Sequence, residues 1–178
     1  MKRFKFLIVV IFVVSCADVI LTKQVIGDKN MIIKDKKSAK DYYLKKNILG
    51  WIQFEKNGNL LNFDCAGVDN VTDDDVQYII YFPEIQAISV SGKKITDNSL
   101  DYFRDLNNLK SITFHNTSIS GKNFQKIINK SSLNVFDFKD SPIVDEGIKS
   151  LSEIEYKNDI EFLNLNNTKI TDEGMKYI

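Results

Sequence analysis

One histidine, His115, and two cysteines, Cys16 and Cys65, are all the imidazole and thiol this chain offers. That narrows its chemistry at once. A Ser-His-acid hydrolase needs three groups converging on one point, and a zinc site takes several His or Cys ligands. One histidine and one cysteine in the body of the chain support neither. Cys65 has no histidine or basic cluster beside it to favour the thiolate, so it reads as a small buried hydrophobe. Asp64 and Asp137 sit at outward positions of alternating segments counted as two units apart. Neighbouring strands lie about 4.8 Å apart, which puts these carboxylates roughly 10 Å from each other, loose for shared acid–base work. The run Asp73-Asp74-Asp75 could attract a cation, but it lacks the EF-hand spacing. It reads instead as a solvated helix start, where negative charge is favoured. No glycine-rich phosphate loop occurs. Lys plus Arg total 24 against 24 Asp plus Glu, and no basic stretch is interleaved with aromatics, which argues against a nucleic-acid partner. The residues predict no enzyme, no metal and no cofactor.

The elements that must position these side chains recur. An apolar-x-x-apolar-x-apolar pattern appears at Ile85, Ile88 and Val90; at Leu109, Ile112 and Phe114; at Leu133, Phe136 and Phe138; and at Ile160, Leu163 and Leu165. From 85 to 109 to 133 the spacing is 24 each time, and a weaker copy, Leu60, Phe63 and Cys65, precedes Ile85 by 25. Self-similarity at this period signals stacked units. Each unit opens with period-two alternation, the mark of a short strand with one buried face. A further apolar residue follows: Val71, Ile95, Ile119, Ile143 or Ile170. A polar pair then tends to follow, as in Thr72-Asp73, Thr96-Asp97 and Thr171-Asp172, of the kind that caps a helix N-terminus. Apolar residues three apart complete the unit: Val76 and Ile79, Leu100 and Phe103, Phe124 and Ile127, Ile148 and Leu151, Met175 and Ile178, one stripe of a short helix. The spacing from Leu133 to Ile160 is 27, which predicts a bulged loop near Glu153–Asp159. The fold class is α/β.

These units resemble leucine-rich repeats, in particular the bacterial ones that read strand, Thr, x, Ile, Thr-Asp-x-Gly-apolar; residues 166–175 are the clearest copy. Phe replaces Leu at several strand positions, Ser120-Gly121 and Val144-Asp145 replace Thr-Asp, and Lys93 stands where other copies carry Thr or Ser. The resemblance covers residues 51–178. It implies a right-handed βα horseshoe arc in which no unit buries its own edge and stability is a chain of neighbour interfaces. Thr117, Ser141 and Thr168 share one position after the strand and are expected to bond the backbone of adjacent bends. The outward strand residues would line one concave face: Asp64, Ser89, Ser91, Thr113, His115, Asp137, Lys139, Asn164 and Asn166. That face is small, polar and of mixed charge. It lacks the Trp and Arg anchors of tight interfaces, with Phe162 and Val135 the nearest substitutes, and it offers few rings for a sugar to stack on. Another protein is the expected partner. The alternative is that the arc is the recognition portion of a longer exported enzyme or effector.

The N-terminus reads as an export signal: Lys2, Arg3 and Lys5, then an apolar run from Phe6 to Val14 too short for a bilayer core. Val13-Val14-Ser15-Cys16 resembles the bacterial lipobox, which implies lipidation of Cys16 and attachment to a membrane of the cell envelope. Cleavage after Ala17 would instead release a secreted or periplasmic protein. Loss of the signal leaves the charge near −3. The expected organisation is signal 1–15, tether 16–37, N-terminal cap 38–59 and repeats 60–178. In the cap, Ser38 would start a helix and Gly50 stop it, and Asn57-Gly58 would join two strands in a hairpin. Trp51 is expected in its core. The last unit ends at Ile178 without a closing cap. A longer or truncated solenoid is the favoured reading, and pairing of that open end with another molecule the less favoured one.

Overall fold

A computed structural model describes residues 31–48, 54–68, 70–127, 132–153 and 159–178. The signal, Cys16, Gly50, Trp51 and most of the expected bulged loop lie outside the described residues.

The body of the chain is an α/β structure built on one parallel sheet. Its strands are β1 (Asn62–Asp64), β2 (Ala87–Ser91), β3 (Ser111–His115), β4 (Val135–Asp137) and β5 (Phe162–Asn164), and they lie side by side in chain order. Parallel neighbours need a crossover between them. Each crossover carries a short helical segment: α2 (Asp73–Val76), α3 (Leu100–Phe103), a single 3₁₀ turn at Phe124–Lys126, and α4 (Asp145–Ser152); α5 (Asp172–Met175) follows β5.

Register follows the apolar spacing. Phe63, Ile88, Ile112, Phe136 and Leu163 stand opposite one another along the sheet. The first four are at most 1% exposed, as are Cys65, Val90, Phe114 and Phe138 two residues further on. Phe103, Phe114, Phe124 and Phe138 stack through the core at centroid distances of 6.2, 6.5 and 4.9 Å in that order. Full burial of such a side chain stabilises by about 1.5–3 kcal/mol, which is why Phe serves at strand positions expected to hold Leu.

After each strand the chain turns through a left-handed residue: Gly67 (φ 76°), Gly92 (φ 111°), Asn116 (φ 53°), Asp140 (φ 60°) and Asn167 (φ 55°). Gly, Asn and Asp tolerate that region best. The next residue carries the hydroxyl row. Thr117 and Ser141 are buried, their oxygens lie 2.8 Å apart, and Ser141 Oγ donates to the Phe114 carbonyl at 2.7 Å. Thr168 bonds within its own turn, to the Leu165 carbonyl. Lys93, at the same position one turn before Thr117, donates from Nζ to the Thr117 carbonyl at 3.0 Å.

Before the sheet lies α1 (Lys36–Lys46). Its start corrects the expectation for Ser38. Asp35 is the cap, accepting from Ser38 N–H at 2.8 Å, and Ser38 is the reciprocal third residue of the box. The helix stops at Asn47 in the left-handed region (φ 52°), short of Gly50. The expected hairpin is reduced, among the described residues, to one antiparallel bridge between Phe54 and Leu60, with Gly58 at φ 85°. Beyond it β1 joins β2 in parallel instead of pairing backward, because that pairing buries Phe63 and Cys65. Tyr43 of α1 packs on Phe63 and Phe82 at 5.3 and 6.1 Å between centroids and covers the first unit.

Candidate functional site

The sheet face away from the core carries the side chains expected to bind. Asp64, Ser89, Thr113, Asp137 and Asn164 form one aligned row, and Ser91 and His115 pair in a second. Lys139 and Asn166 are exposed just beyond the ends of β4 and β5; the other members are half-buried. The register corrects the count for the two carboxylates. Asp64 and Asp137 are separated by three strand steps, not two, so about 14 Å lies between them.

Several members of this face also have structural work. Asp64, Asp137 and Asn164 each turn a side-chain oxygen back onto the N–H two residues on, to Ala66 at 2.9 Å, Lys139 at 3.2 Å and Asn166 at 3.0 Å. This Asx turn ends the strand. Ser91 Oγ accepts from Gly67 N–H at 2.8 Å. Ser89, Thr113, His115, Lys139 and Asn166 are therefore the members better placed to meet a partner. The His115 imidazole leans towards β4, its Nε2 2.9 Å from Asp137 Oδ2 without hydrogen-bond alignment.

Cys65 is buried, and burial pushes its thiol up to about 12; a neutral thiol there is neither nucleophile nor ligand. No group of three metal-ligating side chains occurs among the described residues. An open hollow of about 560 Å³ lies on the helix side, lined among others by Asp73, Asp74, Asp101 and Tyr102. Two of its carboxylates are already committed. Asp73 bonds the next unit, and Asp101 pairs with Lys126 at 2.7 Å and Arg104 at 3.2 Å.

Sequence reasoning missed where the aspartates point. Asp73, Asp97 and Asp145 each reach forward to the following unit. Asp73 accepts from Thr96 N–H at 2.9 Å, Thr96 Oγ1 at 2.5 Å and Ser99 Oγ at 2.5 Å. Asp97 accepts from Ser120 Oγ at 2.5 Å and from the Ser120 and Gly121 N–H groups at 3.1 and 3.0 Å. Asp145 accepts from Thr171 N–H at 2.9 Å and Thr171 Oγ1 at 2.6 Å; these bonds hold its carboxyl below the usual range. The threonines do cap their own helices at Thr96 and Thr171. One interface breaks the series, and both partners are missing there: Gly121 replaces the Asp, and Val144, which would carry the hydroxyl, has none. That paired loss was the signal available in the sequence.

Asp75 corrects the reading of the acidic run as solvated. It is fully buried, bonded by Lys46 and by the Tyr42 hydroxyl and by Thr72 N–H and Oγ1 at 2.9 and 3.0 Å. Burial alone would raise its pKa, but these donors outweigh it and leave it lowered. Of the three, only Asp74 is exposed.

No helix among the described residues is long and apolar enough to cross a membrane. No protein-family model matches the chain, and no curated protein matches it significantly.

Proposed function

We propose that the chain is a leucine-rich repeat solenoid that binds another protein through its outer sheet face, without catalysis, and that it is displayed at the bacterial envelope by lipid on Cys16. The observation that carries this reading is the aligned polar row over five in-register strands. A packed aromatic core lies beneath that row, so the surface is preformed and costs little ordering to bind. The rest of the molecule supplies no competing chemistry among the described residues.

The test is capture of partner from envelope extract by the tagged protein. Ser89→Lys, Thr113→Lys and Lys139→Glu together add bulk and redistribute the charge across the face, at constant net charge, while sparing the Asx turns. They are expected to abolish capture. Gln125→Lys, exposed on the helix side, should leave it intact. Capture unaffected by the triple change would show that the face is not the binding surface. Mass spectrometry of the mature protein tests display; an unmodified N-terminus at Asp18 would sink the lipid anchor.

A further inference from the structure

The five strands are joined to one another along their backbones, in one register. Helix α1 is held differently. It is tied to the body through its side chains. Lys36 Nζ meets Glu84 Oε1 and Asn59 Oδ1, both at 2.6 Å, and Lys46 and the Tyr42 hydroxyl bond Asp75. Both lysines are part exposed, so water competes for them. Of its 11 residues only Ala39 and Tyr43 are buried, which leaves the Tyr43 ring, against Phe63 and Phe82, as the one large apolar anchor. That anchor carries a penalty. The Tyr43 hydroxyl is buried and has no hydrogen-bond partner, and an unsatisfied buried polar group opposes the packing that buries it. Asp75, fully buried beneath α1, would likewise regain water if the helix left.

We infer that α1 is a releasable cap: it lifts from the first unit as one piece while the five-stranded sheet stays folded, uncovering Phe63 and Phe82 in a second, open state of the protein. Elements with few buried apolar contacts open at lower free energy than the whole fold. A helix of this length is marginal in water on its own, so the released segment unwinds and does not hold the open state back. The sheet loses nothing of its own in the opening, because β1 keeps its pairing with β2. Residues 1–30 enter the fold through α1, so under the envelope reading above a load on the anchor reaches the cap before the sheet. The release itself does not rest on that reading, and either can fail without the other.

Native-state amide exchange in rising, sub-denaturing urea separates the two openings. It is run on the chain from residue 17 onward. Relative to their unfolded-chain rates, the mid-helix amides of residues 42 and 43 should exchange at least about a hundredfold faster than those of Ile112 and Phe114 on the central strand β3. Their urea dependence should be shallower, because less surface is exposed. Two conservative variants fix the cause. Tyr43→Phe removes only the unpartnered hydroxyl and should slow α1 exchange about tenfold. Phe136→Leu, on β4 and away from the cap, should speed β3 exchange at least about fivefold and leave α1 exchange unchanged, since the open state keeps β4 folded. Amides of α1 and β3 that share one free energy and one urea slope overturn the proposal. So does α1 exchange that quickens with Phe136→Leu, or that is no slower with Tyr43→Phe.

Discussion

Asp97→Ala isolates one rung of the aspartate series. The carboxylate satisfies three donors of the next unit, the Ser120 hydroxyl and the N–H groups of Ser120 and Gly121. Truncation removes the acceptor and leaves two backbone donors in a half-buried bend. An unsatisfied buried donor costs about 1–3 kcal/mol. Water reaches this site in part, so the two N–H groups together should cost about 2–3 kcal/mol. For a chain of this size that is a fall in Tm of roughly 4–10 °C. The assay is urea unfolding at neutral pH of the chain from residue 17 onward. Ser120→Ala removes only the hydroxyl and should cost about 1 kcal/mol. The double variant should cost less than the sum, with a coupling of about 0.5–1.5 kcal/mol. Asp172→Ala is the internal control. It deletes the same side chain at the same register where no described residue bonds it, and should change stability by no more than about 0.5 kcal/mol. If Asp97→Ala costs no more than Asp172→Ala, the forward bonds hold nothing and the account of the interfaces fails.

Other outcomes follow from the same structure. Gly121→Asp with Val144→Thr should destabilise instead of restoring the missing rung. Gly121 lies at φ 82°, and a Cβ there would come within 2.9 Å of Phe124 Cε2; the cost should be at least about 1 kcal/mol by urea unfolding. Lys46→Met should cost roughly 2–3 kcal/mol, somewhat under the range for fully buried pairs because Lys46 is part exposed, since Asp75 is left buried without its cation; loss under about 0.5 kcal/mol would show the pair to be idle. Asp75 and Asp145 both have folded pKa values below the ordinary 3.8. Their stabilisation is complete above that value and is lost as pH falls through and below it. Unfolding followed from pH 5 to pH 2 should show this loss, reduced in Asp75→Asn relative to its own neutral-pH stability. Cys65 should be silent to a thiol reagent at pH 8 in the native protein and react fully in denaturant; rapid native labelling would contradict its burial.

The outer sheet face is complete in its backbone: its five strands are paired in chain order and its Asx turns are closed, so a partner there would meet side chains only. Parallel pairing is well defined in register only because the inward apolar row fixes which residues face the core.

Much of the fold was legible in the chain because its causes are local. Period-two alternation placed Phe63, Ile88, Ile112, Phe136 and Leu163 inward, and all five share one register. Left-handed turns at Asn116 and Asn167 follow from a residue type that tolerates positive φ. What the tertiary structure alone decided was which groups meet across units. Thr-Asp reads locally as a helix cap, yet the Asp bonds a residue 23 to 26 positions later, because stacking brings that bend closer than its own helix. Asp75 reads as solvated until α1, 29 residues earlier, lays Lys46 over it. Asp64 and Asp137 stand about 14 Å apart because strand order, not sequence interval, sets distance in a sheet. Local pattern determines each unit's own shape; the partners of its polar groups are determined by the neighbour against which it packs.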